Sequence, residues 1–220
     1  MEKNQVIIIP CYNEIKNILS IYNKAKKFGR VIIVDDFSND GTRTFLKENK
    51  IFFIKNKKNY GYEKSLINGF KYAIKKYKNA DYILTIDADN ELPVKYISKI
   101  QKKIKNDKAE IVIGRRNQFN RYAEKLISIT FKNLFDIEDP LSGLKIYKKF
   151  FLKRYINLVS KNLFLVDFIF FCKREGAIIS ELKINVNQRK DKARVGSNIN
   201  VNLKIMIICF RFIIKKIFRE

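Results

Sequence analysis

Apolar residues recur along this chain in two alternating rhythms. Short β-rich runs, QVIIIP at 5–10, RVIIVDD at 30–36, IFFI at 51–54, DYILTIDAD at 81–89 and EIVIG at 110–114, predict buried strands. Between them Ile15, Ile18, Leu19, Tyr22 and Ala25, then Leu66, Phe70, Ala73, Ile74 and Tyr77, then Ile97, Ile100 and Ile104 recur at helical spacing, and a short helix is expected at 42–48. Alternating strands and helices predict an α/β fold whose first 114 residues form a Rossmann-like, open, mainly parallel sheet flanked by helices. In such sheets ligands sit beyond the carboxyl ends of the strands.

Three loops end on that edge, and each carries carboxylates. PCYNE holds Glu14, VDDFSNDGT holds Asp35 and Asp36, and DADNE holds Asp87, Asp89 and Glu91. If the strand persists through them, Asp87 and Asp89 point to one face and aim together at a divalent cation. A hard cation with oxygen ligands would take substrate phosphates as its remaining ligands. A lone Asp-x-Asp also suits a turn or a helix cap, and SNDGT is good turn chemistry, with Thr42 or Asp40 able to cap the next helix. Two carboxylate clusters on one edge ask for more than turn formation.

The 46 Lys and Arg against 22 Asp and Glu give a formal charge of +24. Such a charge favours anionic partners: phosphate-bearing substrates, an acidic membrane surface or nucleic acid. The abundance of Lys, Asn and Ile with no His also fits an AT-rich coding bias. Cys11, Cys172 and Cys209 are odd in number and form no Cys-x-x-Cys pair, so neither a disulfide framework nor a thiolate metal site is expected. No signal peptide and no apolar run long enough to span a bilayer is expected either.

In order, VIIIPCYNE, VIIVDDFSNDGT, NYGYEKSLINGFKYA, ILTIDADNELP and IVIGRR resemble the family 2 glycosyltransferases of the GT-A fold. Within them the chain is similar to the polyprenyl-phosphate sugar transferases of the dolichol-phosphate mannose synthase type, over about 190 residues. The resemblance implies a metal-dependent glycosyltransferase that takes a GDP- or UDP-sugar. Pro10, Tyr12, Glu14 and Asp36 would contact the nucleoside, Asp35 its base or ribose. Asp87 and Asp89 would bind Mg²⁺ or Mn²⁺ and the donor diphosphate, with Glu91 where a further ligand often stands.

The segment after IVIGRR reads as an amphipathic helix with Arg121, Lys125, Ser128 and Lys132 along one face. The resemblance gives Arg121, Lys125 and Ser128 the acceptor phosphate. DPLSGLKIY supplies Asp139, which would act as general base toward a sugar hydroxyl or as an orienting group if the acceptor is an anionic lipid phosphate. In either case direct displacement with inversion is expected, with Asp89, Asp139 and Arg121 the candidate catalytic residues. ELKI resembles the family's closing strand. The basic loop after it offers Arg189 and Arg194 as a clamp on the donor diphosphate, and the Gln-x-x-Arg-Trp motif of processive synthases is missing.

Residues 1–200 are therefore expected to form one catalytic domain, with a nucleotide-binding half to 114 and an acceptor half from 115 to 200. On a C-terminal helix over 201–220, Lys204, Arg211, Lys215 and Arg219 fall within about 80° of one another, while Leu203, Ile207, Phe210, Ile214 and Phe218 cover much of the other side. That segment suits a membrane interface, the domain's own core or a partner subunit. The expected setting is the cytoplasmic face of a membrane, with a polyprenyl phosphate as acceptor and no nucleic-acid partner. A nucleotidyltransferase lacks support, since PCYNE stands where a Gly-rich phosphate loop would be. A glycosyltransferase acting on a glycan hydroxyl stays open.

Overall fold

The computed structural model describes residues 4–119, 121–157, 164–187 and residue 207. The expectations for Arg189 and Arg194 and, residue 207 apart, for the segment 201–220 lie outside the described residues. Strands β1 (Gln5–Cys11), β2 (Arg30–Asp35), β3 (Phe53–Lys55), β4 (Tyr82–Thr85), β5 (Ile111–Arg116), β6 (Lys145–Lys148) and β7 (Ile179–Ile184) form one sheet in the order β3-β2-β1-β4-β6-β5-β7. Helices α1 (Ile18–Ala25), α2 (Thr42–Glu48), α3 (Tyr62–Lys76), α4 (Tyr96–Asn106), α5 (Tyr122–Phe135), α6 (Lys149–Tyr155) and α7 (Phe164–Arg174) connect the strands.

Strand alternation explains why helices cover both faces. Val6 and Ile8 of β1 point into a core built with Leu66, Phe70 and Ala73 of α3 and Phe168 of α7. Ile7 and Ile9 point the other way, into a core with Ile18 and Ile21 of α1 and Ile97 and Ile100 of α4. Helix α3 lies so close to the sheet that a Cβ on Gly69 would sit 2.6 Å from the Ile8 side chain. The helix can therefore pack there only with a glycine.

Two boundaries differ from the pattern-based reading, and both shape the site. Strand β4 stops at Thr85, so Asp87 and Asp89 lie in a turn beyond it, where side-chain alternation no longer holds. Strand β6 is inserted between β4 and β5 and runs antiparallel to both, whereas every other strand pair is parallel. The first 114 residues thus do not make a contiguous sheet. A four-residue strand such as KIYK carries no directional signal, because periodicity does not distinguish parallel from antiparallel pairing. Among the described residues no helix is long and apolar enough to cross a membrane.

Candidate active site

The loops after β1 and β2 are fastened to each other. Asn13 N–H donates to Ser38 Oγ at 2.9 Å, Asn39 N–H to Asn13 Oδ1 at 2.9 Å, Glu14 N–H to Thr42 Oγ1 at 3.1 Å and Ile15 N–H to Asp40 Oδ2 at 3.1 Å. Asp40 also accepts the Thr42 N–H at 3.0 Å, while the N-cap residue of α2 is Gly41, so neither candidate occupies the cap position itself. The hydrogen bonds Asp40 accepts hold its carboxyl below the usual range against the effect of burial.

Within this frame the expected nucleoside residues divide. Tyr12 is exposed at the tip of β1, while Pro10 is buried inside the strand. Glu14 is buried and accepts from Asn17 Nδ2 at 2.8 Å. Asp35 is fully buried and holds Arg43, with Nε at 2.8 Å and Nη2 at 2.6 Å. Asp36 accepts from Asn56 Nδ2 at 2.8 Å, Tyr60 N–H at 2.9 Å and Gly61 N–H at 2.7 Å, which fixes the loop leading into α3. The adjacent aspartates therefore organise the loops at this edge, one through an arginine and the other through an asparagine and two backbone N–H groups.

Asp87 lies next to β1 on the opposite side from β2. Tyr62 OH donates to its Oδ1 at 2.6 Å, and a Cβ on Gly143 would come within 2.0 Å of its Oδ2. Only glycine lets the turn before β6 back onto this carboxylate, and Thr85 Oγ1 fastens that turn by donating to Gly143 O at 2.8 Å. Burial and the neighbouring Asp89 push the Asp87 carboxyl up to about 7, while Tyr62, Arg116 and Lys145 pull it back. The same burial drives the Tyr62 hydroxyl well above its ordinary value.

Two neighbouring hard-oxygen donors of like charge would suit a divalent cation that completes its shell with phosphate oxygens. Among the described residues no group of three or more Asp, Glu or Cys side chains is arranged to hold a metal ion, and Glu91 follows Asp89 in the same turn. Asn90 adopts φ 65°, and Asp89 Oδ1 turns to accept the Glu91 N–H at 3.1 Å, while Glu91 O accepts the Asn187 N–H at 2.8 Å. The turn spends its geometry on closing the chain toward the end of β7.

In the segment expected to take the acceptor, the central feature is a buried ion network. Asp139, 1 % exposed, accepts from Arg116 N–H at 3.0 Å, Nε at 2.8 Å and Nη2 at 3.0 Å. Arg116 Nη1 also reaches Glu124 at 3.3 Å, and these carboxylates hold the guanidinium pKa above its ordinary value against burial. Glu181 fixes the same turn by accepting the Glu138 and Asp139 N–H groups, each at 2.9 Å. The four residues expected along one face of α5 have different surroundings. Arg121 is the N-cap residue before the helix and lies 3.8 Å from Glu124, Ser128 is buried, Lys132 pairs with Glu138 at 3.1 Å, and Lys125 is exposed.

Several contributors carried no signal in the pattern. Lys145 is fully buried on β6 and donates to Ser142 O; burial lowers its pKa to about 8, while Asp139 and Asp87 support its charge. Arg116 lies at the end of β5, in a stretch where the sequence shows only a pair of arginines. A single charged residue flanked by apolar ones, as in GLKIY, gives no sign that the chain will bury it against two aspartates.

The mixed sheet with helices on both faces, with two aspartates beyond β4 and a buried ion network near them, is the architecture of a GT-A glycosyltransferase. The model of glycosyl transferase family 2 matches residues 6–220, and the chain belongs to that family. It is 28% identical to a UDP-N-acetylglucosamine–dolichyl-phosphate N-acetylglucosaminyltransferase of Methanococcus voltae, over 90% of this chain and 92% of that one. It is 29% identical to a dolichol-phosphate mannosyltransferase of Pyrococcus furiosus over 65% of this chain and 46% of that protein. The fold matches glucosyl-3-phosphoglycerate synthase of Mycobacterium tuberculosis, solved with Mn²⁺, UDP and product, with a TM-score of 0.73 at 13% identity over 94% of this chain and 80% of that one.

Proposed function

We propose that this glycosyltransferase moves one sugar from a nucleotide-sugar donor to a polyprenyl phosphate, with inversion and without processivity. The observation that carries the choice of acceptor is the state of the acceptor-side carboxylates. A sugar hydroxyl needs a general base within hydrogen-bond reach. Asp139 is taken up by three N–H groups of Arg116, and Glu124 and Glu181 are engaged with Arg116 and with backbone N–H groups. A phosphate monoester is already anionic and attacks without a base. Relatives named for dolichyl phosphate support the same reading.

In this mechanism Asp87 and Asp89 would hold Mg²⁺ or Mn²⁺, which would offset the charge growing on the departing diphosphate. Tyr62 and Gly143 fix the Asp87 carboxylate, and Arg116 with Asp139 holds the turn that backs it. Arg121 and Lys125 draw the acceptor phosphate to the anomeric carbon from the opposite side.

The test offers the purified protein undecaprenyl or dolichyl phosphate with a panel of GDP- and UDP-sugars and Mg²⁺ or Mn²⁺, and reads the products by mass spectrometry. A polyprenyl-phosphate sugar from one donor is the expected product; transfer only to glycan hydroxyls would overturn the acceptor assignment. Replacing Arg121 and Lys125 together by Gln is expected to raise the apparent KM for the lipid phosphate at least about tenfold, as loss of charged contacts at a phosphate site does. The donor KM should stay within about twofold, and an equal rise in both would remove the separate acceptor-phosphate site.

A further inference from the structure

Phe37 does something the apolar core does not need. It adopts φ 68°, the left-handed region in which a bulky side chain is an outlier, yet 47% of its surface is exposed and it joins none of the three apolar clusters. Strain kept at an exposed side chain points to a role in binding, because the ring contributes little packing in return.

The surroundings hold the ring in place. The Arg43 guanidinium lies 5.2 Å from the ring centroid, and that guanidinium is itself pinned by the buried Asp35. Both chain neighbours are tied down: Asp36 N–H donates to Cys11 O at 2.8 Å, and Ser38 N–H donates to Asp35 Oδ1 at 3.3 Å. Phe37 is therefore an open aromatic surface on a fixed base, at the carboxyl edge of β2.

Its distance from the diphosphate end of the site is set by the sheet. Strand β1 separates β2 from β4, with Cys11 opposite Asp35 and Ile8 opposite Thr85. Two strand spacings, about 10 Å, lie between the tip that carries Phe37 and the tip that carries Asp87. A nucleoside diphosphate with its phosphates at Asp87 and Asp89 reaches that far with its base.

We propose that Phe37 is a stacking platform for the nucleobase of the donor, a specificity-determining residue built by forcing an aromatic side chain into a left-handed backbone. This rests on the nucleotide-sugar reading above. Stacking on an aromatic ring is tolerant of base identity, so Phe37 separates nucleotides from bare phosphates, and the choice among bases falls to other groups.

The experiment compares the wild-type protein with Phe37→Asn and Phe37→Tyr by calorimetric titration, using UDP, GDP and inorganic diphosphate, each with Mn²⁺. Asparagine adopts the left-handed region readily, so Phe37→Asn keeps the turn and removes the ring. Its affinity for the better nucleoside diphosphate is expected to fall roughly tenfold, with inorganic diphosphate unchanged and a melting temperature no lower than wild type. Phe37→Tyr is expected to bind all three as wild type does. Equal weakening of nucleotide and inorganic diphosphate in Phe37→Asn, or no weakening of either, would overturn the platform and leave the donor assignment standing. Wild-type protein that binds inorganic diphosphate but neither nucleotide, or binds none of the three, would overturn both.

Discussion

Replacing Asp87 by Asn is expected to lower sugar transfer by at least about 100-fold, in the range seen when one charge-stabilising group is removed from an active site. The same change is expected to stabilise the metal-free protein at pH 8. The two effects have one origin. Burial and Asp89 push the Asp87 carboxyl up to about 7 from an ordinary value of 3.8, so ionising it in the folded protein is costly. Asparagine keeps an acceptor for the Tyr62 hydroxyl and has no charge to bury.

The sign of the pH dependence follows. Between about pH 4 and pH 7 the folded protein holds the Asp87 proton while the unfolded chain has released it, so stability falls as pH rises through that window. Above pH 7 this contribution is fully lost. Thermal melts in chelator should therefore show wild-type stability declining from pH 5 to pH 8 relative to Asp87→Asn. The difference at pH 8 is expected to be at least about 1 kcal/mol, or roughly 2–4 °C for a chain of this length. Added Mn²⁺ should stabilise wild type and leave the variant unmoved. Full transfer activity in Asp87→Asn would sink the metal and diphosphate assignment. Identical melts across the pH range would mean that the site relieves its charge by some other route.

Much of the sheet and its helices was legible because their signals are local. The apolar runs around Ile7, Ile32 and Leu84 are strands, and Leu66, Phe70 and Ala73 are one face of a helix, since burial on a pleated or helical surface requires those periods. Carboxylates at strand ends likewise identify the ligand edge of an α/β sheet. What stayed hidden depends on contacts distant in sequence. Asp36 is spent on Asn56, Tyr60 and Gly61, Arg43 turns back eight residues to Asp35, and Gly143 meets Asp87 across more than fifty residues. For Arg121, Lys125, Ser128 and Lys132, helical spacing does not disclose that Lys132 pairs with Glu138 or that Ser128 is buried.

The largest effect on stability should come from the ion network that joins β5 to the turn before β6. Changing Arg116 to Met removes every side-chain N–H that Asp139 accepts and leaves two buried carboxylates, Asp139 and Glu124, facing an apolar side chain. Breaking a buried pair by deleting one partner costs about 3–5 kcal/mol, here a drop in melting temperature on the order of 10 °C. Asp139→Asn should cost less, because Arg116 still has Glu124 and the Asn oxygen can still accept. The pair of variants also separates the two chemistries. If the acceptor is a phosphate, Asp139→Asn changes the rate only through the position of Gly143 behind Asp87, and the pH dependence of kcat/KM keeps its shape. If Asp139 is the base toward a hydroxyl, the acidic limb of that profile disappears in Asp139→Asn and the rate falls by about 100-fold or more. A profile of unchanged shape, measured alongside an Arg116→Met protein that melts far lower, would identify Asp139 as a positioning residue whose work is to hold an arginine and a turn.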